Sequence, residues 1–295
     1  MSPAAASGRA RSAPRAAPPQ PAYLLHRHDW SESSLILDLL GRDEGRVVLV
    51  AKGAKRPHSN FRTVLLPLQR LLVVHGRRKP QPLDAQEEGG EVLPLKSAEW
   101  AGGPPLPQGQ ALLAGFYLNE LLLKLLPRHD PHPRLFDAYA LTVAALGERP
   151  TPPLAPLLRA FELLLLRELG LLPALDHDTL RQRPLADADP AQPAALRPEA
   201  GLVLLPPGDE GPERAPPALP AAQWCALEAA LQALAPQLGG IEPPAGAAVQ
   251  AAFARLQAGC AAPALRPLLR GVLHYHLGGR PLHTRQLMAD LATAP

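Results

Sequence analysis

Cysteine is nearly absent from this chain: Cys225 and Cys260 are the only two among 295 residues. Two thiols cannot build a disulfide framework or a four-thiolate zinc site, and they fit a reducing compartment. Aromatic residues are scarce, at 4%. Long apolar runs are missing too. None approaches the ~18 residues that cross a bilayer, and a run such as Leu163 to Leu166 stops at Arg167 and Glu168. A soluble, cytosolic protein is expected. Acid is missing locally, because Gly45 to Leu83 holds no Asp or Glu. The same stretch carries Arg46, Lys52, Lys55, Arg56, Arg62, Arg70, Arg77, Arg78 and Lys79. Elsewhere the signs alternate. The formal charge of +3 equals the contribution of Arg9, Arg11 and Arg15 in the first 20 residues, which leaves 27 basic against 27 acidic groups in the rest.

What is present points to about two domains. Apolar residues reach 46%, enough for a substantial core, while 38 prolines and 23 glycines punctuate it. Residues 1–20 are Ala, Pro, Ser and Arg and read as a disordered tail. The prolines and the lack of an apolar face argue against a targeting helix there. Residues 21–100 are strand-like. Tyr23 to His26, Ser34 to Leu40, Arg46 to Lys52, Leu68 to Val74 and Glu91 to Leu95 are short apolar runs parted by turns. Five such strands suit a small closed barrel. After the Gly/Pro link 101–108 the period becomes helical, and helices are expected over 111–126, 135–146 and 154–169, the last stopped by Gly170. A Pro-rich insertion, irregular or a hairpin around Leu202 to Leu205, spans about 181–219, and helical pattern returns over 221–238, 246–257, 263–277 and 283–291. The fold class expected is α+β, with β preceding α: a barrel, then a helical domain over 109–292.

The acid-free segment is a candidate polyphosphate-binding face, since each phosphate contact releases a condensed counterion. A solvated, merely solubilising loop is the alternative. Stacking platforms are few, namely Tyr23, Trp30 and Phe61, and Phe61 suits a stacked base or the core equally in kind. Backbone-dominated, salt-sensitive binding with bases left free to pair is the expectation. Catalytic signals fail. Lys52-Gly53-Ala54-Lys55 lacks the order of a phosphate-binding loop, Ser31 to Ser34 lacks a nucleophile elbow, and no paired carboxylates suit acid–base work or a nuclease. His26 and His28 share a strand face without a third ligand, and His274 and His276 diverge on a helix. No enzyme activity, cofactor or metal is expected.

The residues also resemble a known family. Ala22-Tyr23-Leu24-Leu25-His26-Arg27, Trp30 to Leu35, Gly45-Arg46-Val47, Ala51 to Arg56 and Leu66-Pro67-Leu68 are similar to the start of the bacterial recombination and repair family RecO. Tyr117 to Leu122, Leu135 to Tyr139, Arg159-Ala160-Phe161-Glu162, Leu277 to Leu282 and Thr284 to Leu287 follow the same family's order, so the likeness covers about 21–290. The resemblance implies an N-terminal OB-fold (oligonucleotide-binding) barrel and a helical C-terminal domain. It implies a mediator that binds single- and double-stranded DNA, anneals complementary strands, works with RecR, and displaces the single-strand-binding protein (SSB) to help load RecA. Some members carry a four-cysteine zinc module in the insertion. No cysteine lies between Leu172 and Trp224 here, so no metal is expected. The SSB acidic tail is assigned, from the family's motif position, to Arg159 and Phe161. For DNA the candidate contacts are Lys52, Lys55, Arg56 and Arg62, then Arg46, Arg77 and Arg78, and also Arg280. The competing reading is a protein-interaction adaptor with weak, non-specific nucleic-acid contact.

Overall fold

The computed structural model describes residues 18–76, 92–206, 216–240 and 244–293. The chain opens with β1 (Gln20–Asp29), β2 (Leu35–Gly41) and β3 (Gly45–Ala51). A one-turn helix, α1 (Phe61–Val64), precedes β4 (Arg70–His75) and β5 (Leu93–Trp100). These strands close in the order β1-β2-β3-β5-β4. Every pair is antiparallel except β3 with β5, which runs parallel through Leu49 opposite Leu93 and Val50 opposite Pro94. Five strands in this order, with a helix between the third and fourth, make an OB-like barrel. Closure removes the free edges that a small sheet would otherwise expose.

Period-two alternation sends every second residue inward, and on β1 and β2 some of the outward ones are buried as well. Leu24, Leu37, Leu39, Leu49, Leu71 and Val73 fill the barrel. Tyr23, Leu25, Leu40 and Leu68 instead join the core of the helical part. Tyr23 lies with its ring centroid 5.3 Å from Phe136 and 4.9 Å from Tyr139. Its phenol is pushed up to about 12, chiefly by burial. One wall of the barrel is therefore half of a second core.

The helical part begins with α2 (Gln110–Leu125), α3 (Pro133–Gly147) and α4 (Leu154–Glu168). Gly170 ends α4 with φ +69, and the Leu171 N–H returns to the Leu166 carbonyl at 2.8 Å, the left-handed stop expected of glycine there. A β insertion follows: the two-residue strands β6 (His177–Asp178) and β7 (Arg183–Pro184), then β8 (Pro193–Arg197) and β9 (Gly201–Leu204), with β10 (Leu219–Pro220) on the far side of β8. Asp178, fully buried, organises it by accepting from the Leu180, Arg181 and Leu204 N–H groups and from the Arg181 guanidinium. The insertion thus has regular pairing from residue 177 onward, earlier than the start expected at 181, and β8 with β9 forms a hairpin, one of the two forms expected. Helices α5 (Ala221–Leu234), α6 (Ala247–Gly259), α7 (Leu265–His276) and α8 (His283–Thr293) complete the chain. Among the described residues no helix is long and apolar enough to cross a membrane.

Polar contacts fix the barrel to the helices. Arg42 donates to both carboxylate oxygens of Asp137, at 3.3 and 3.0 Å, and to the Gly240 carbonyl. Asn119 of α2 donates to the Leu25 carbonyl at 3.0 Å and accepts from the Tyr139 hydroxyl at 2.6 Å. Gly45 has φ +69, and a β-carbon there would collide with the Asp130 backbone. Gly45→Ala combines a left-handed penalty with overpacking against main chain, so it is expected to cost about 2–3 kcal/mol. Chemical denaturation would show this as a lower midpoint at unchanged slope.

Glu120 of α2 clamps α8. Its carboxylate accepts from the His283 and Thr284 N–H groups, both at 2.9 Å, from the Thr284 hydroxyl and from Lys124. Burial alone would raise its pKa, but these hydrogen bonds together outweigh burial and hold it near about 2. A pKa depressed in the folded state contributes stability that is complete above the ordinary 4.5 and fades as pH falls toward 2. Amide protection in α8 is accordingly expected to fall over that window, and Glu120→Gln to flatten the dependence, as hydrogen exchange would measure.

Candidate nucleic-acid interface

The loop from Lys52 through α1 covers one end of the barrel. Two clefts flank Phe61, which lines both. The first, about 540 Å³, is bordered by Lys52, Asn60, Lys96 and Trp100; the second, about 490 Å³, by Arg27, Lys55, Arg62 and Leu66. Cations from three separate segments therefore meet around α1: β1 supplies Arg27, the loop supplies Lys52 and Lys55, and β5 supplies Lys96.

The sequence-derived candidates separate into distinct groups here. Lys52, Arg56 and Arg62 are exposed. The described residues show no side-chain hydrogen bond or ion pair for these three, so their charges face water. Lys55 is partly committed: its ammonium sits 3.3 Å from Asp29 and donates to the Ser31 carbonyl at 3.1 Å. Asp29 is 78% exposed, so this pair is weak and exchangeable. Arg46 is a correction. Its guanidinium donates to Asp38 at 3.2 Å and to the carbonyls of Leu123 and Leu126 at 2.6 and 2.9 Å. It caps the end of α2 from the barrel and lines neither cleft. Arg77 and Arg78 lie outside the described residues. Arg280 is exposed in the turn between α7 and α8 and likewise lines neither cleft.

The pair assigned to an acidic tail is also revised. Phe161 is wholly buried, its ring 6.2 Å from Tyr139, so it packs in the core and presents no surface to a peptide in this structure. Arg159 is 12% exposed and sits 2.8 Å from the buried Glu162, which also accepts from the Tyr117 hydroxyl at 2.6 Å. Burial raises the Glu162 pKa against the opposing pulls of Arg159, the Tyr117 hydrogen bond, Arg285 and Arg266. The Arg159 Nε and Glu162 Oε2 atoms are buried without hydrogen-bond partners. Arg266 and Arg270 are exposed nearby on α7, giving an arginine cluster around a single buried acid.

Sequence reasoning missed Arg27, Lys96 and Trp100. Lys96 falls outside the acid-free window. Trp100 was hidden by a register shift at Val74/His75, beyond which β5 places Ala98 and Trp100 opposite the inward-facing Val73 and Leu71. The simple alternation read from Leu93 and Leu95 breaks there.

An OB-like barrel with a cationic end, welded to a helical body, defines the architectural class. Residues 19–88 match the family model Recombination protein O N terminal, and residues 106–237 match Recombination protein O C terminal. The chain is 49% identical over 274 residues to the DNA repair protein RecO of Polaromonas naphthalenivorans, covering 92% of this chain and 96% of that protein. It is 50% identical over 273 residues to the DNA repair protein RecO of Paracidovorax citrulli, with coverage of 92% and 96%. The chain belongs to the RecO family and is a DNA repair protein.

Proposed function

We propose that this protein is a non-enzymatic recombination mediator. It binds single- and double-stranded DNA, anneals complementary strands and, with RecR, helps load RecA onto single strands coated with SSB, working on cytoplasmic, nucleoid DNA. The observation that carries this reading is that Lys52 and Arg62, exposed and without a side-chain partner among the described residues, line the two clefts beside α1 at one end of an OB-like barrel, with the exposed Arg56 on the loop between them and lining neither. Mutual repulsion of two phosphate backbones opposes pairing, and a cationic face lowers that barrier by displacing counterions. Lys55, released from Asp29, joins the same face. The SSB acidic tail is assigned to Arg159 with Arg266, Arg270 and Arg285, where an incoming carboxylate meets several guanidinium groups.

Annealing of complementary strands precoated with SSB, with and without RecR, tests the whole reading. Acceleration by this chain, enhanced by RecR when RecA filaments are the readout, is expected. Failure to anneal, together with featureless micromolar or weaker DNA binding at low salt, would favour the adaptor. The tail assignment predicts that Arg285→Ala weakens an acidic tail peptide at least fivefold by fluorescence anisotropy, with DNA affinity unchanged.

A further inference from the structure

The first cleft contains more than charge. Trp100, the last residue of β5, is 61% exposed, and its indole N–H is held at 3.1 Å by the side-chain oxygen of Gln69. A lone exposed tryptophan needs no special explanation. This one is fixed in orientation and shares a cleft of about 540 Å³ with the half-buried ring of Phe61, with Lys52 and Lys96, and with one carboxylate, Glu99. Aromatic faces beside cations are the elements by which single-stranded nucleic acid is held: each base has a π face to stack, and each adjoining phosphate needs a counter-charge. In a duplex those faces are already stacked on neighbouring bases.

Resting on the DNA-binding reading above, we propose that this cleft is a base-stacking site for single-stranded DNA. Trp100 and Phe61 receive unpaired bases while Lys52 and Lys96 hold the flanking phosphates. The site would select single over double strand, a discrimination that the backbone-contacting cations cannot supply. This differs from the expectation of poor stacking surfaces drawn from Tyr23, Trp30 and Phe61. Because the cleft is small, only a short stretch is engaged and the rest of the strand stays free to pair.

The full chain carries its own probe. In a Trp30→Phe background, emission comes from Trp100 and from Trp224, which is fully buried and donates to the Ala194 carbonyl. Titration with oligothymidylate of about ten nucleotides is expected to quench the exposed indole to saturation. An abasic strand of equal length and charge is expected to bind with little quenching. By anisotropy, Trp100→Ala should weaken the oligothymidylate about tenfold and change abasic strand and duplex less than about twofold, while Trp100→Phe recovers most of the loss. Equal losses on both strands, or no loss on either, would overturn the stacking site while leaving DNA binding intact. Wild-type protein that binds neither strand would remove both proposals together.

Discussion

Replacing Asp137 with alanine is expected to destabilise the folded chain by about 4 kcal/mol, the usual cost of stranding one partner of a buried ion pair. The Arg42 and Asp137 side chains are 10% and 2% exposed, so water cannot replace the lost carboxylate. The Gly239 N–H, which donates to Asp137 at 2.8 Å, would lose its acceptor as well. Urea unfolding followed by circular dichroism would read the loss. Arg42→Met combined with Asp137→Leu should recover much of it, because a pair replaced by apolar groups of similar size leaves no buried charge unmatched. A single variant that unfolds like the parent would mean that barrel and helices are not joined through this pair.

That pair illustrates what the amino-acid order reveals and what it conceals. Strand runs such as Arg46 to Lys52 are legible because alternation and turn residues are local, and β3 forms at Gly45–Ala51. Helices α2 to α8 are legible for the same reason, with Gly170 stopping α4 where expected. The destination of each buried face is not local. Leu24 fills the barrel, whereas its neighbours Tyr23 and Leu25 fill the helical core, and only the docked geometry divides them. Arg42 and Arg46 lie in or beside the basic stretch, yet each is held by groups 77 or more residues away: Arg46 by the end of α2 in addition to the nearby Asp38, Arg42 by Asp137. Charge counting along the chain has no access to such partners. Phe161, read from a family motif as a docking residue, packs in the core of this chain.

Simultaneous Lys52→Ala, Arg56→Ala and Arg62→Ala substitution should weaken single-strand binding by roughly two orders of magnitude at about 50 mM salt. Each phosphate neutralised contributes about 0.7 to the slope of log affinity against log salt on single strands, so three lost contacts flatten that slope by about 2. All three side chains are exposed, and none holds another element in place, so thermal stability should stay close to wild type. Two single variants sharpen the comparison. Lys55→Ala should give a smaller slope change, since its ammonium is shared with Asp29 and the Ser31 carbonyl. Arg46→Ala should do the reverse: it strips donors from the Leu123 and Leu126 carbonyls and from Asp38, costing about 2 kcal/mol of stability with little effect on the slope. Oligonucleotide titrations at several salt concentrations, paired with melting curves, separate cations that meet phosphate from a cation that meets protein. A triple variant with the parental slope would place the DNA path away from α1. An Arg46 variant with a flattened slope and parental melting would return that arginine to the DNA face.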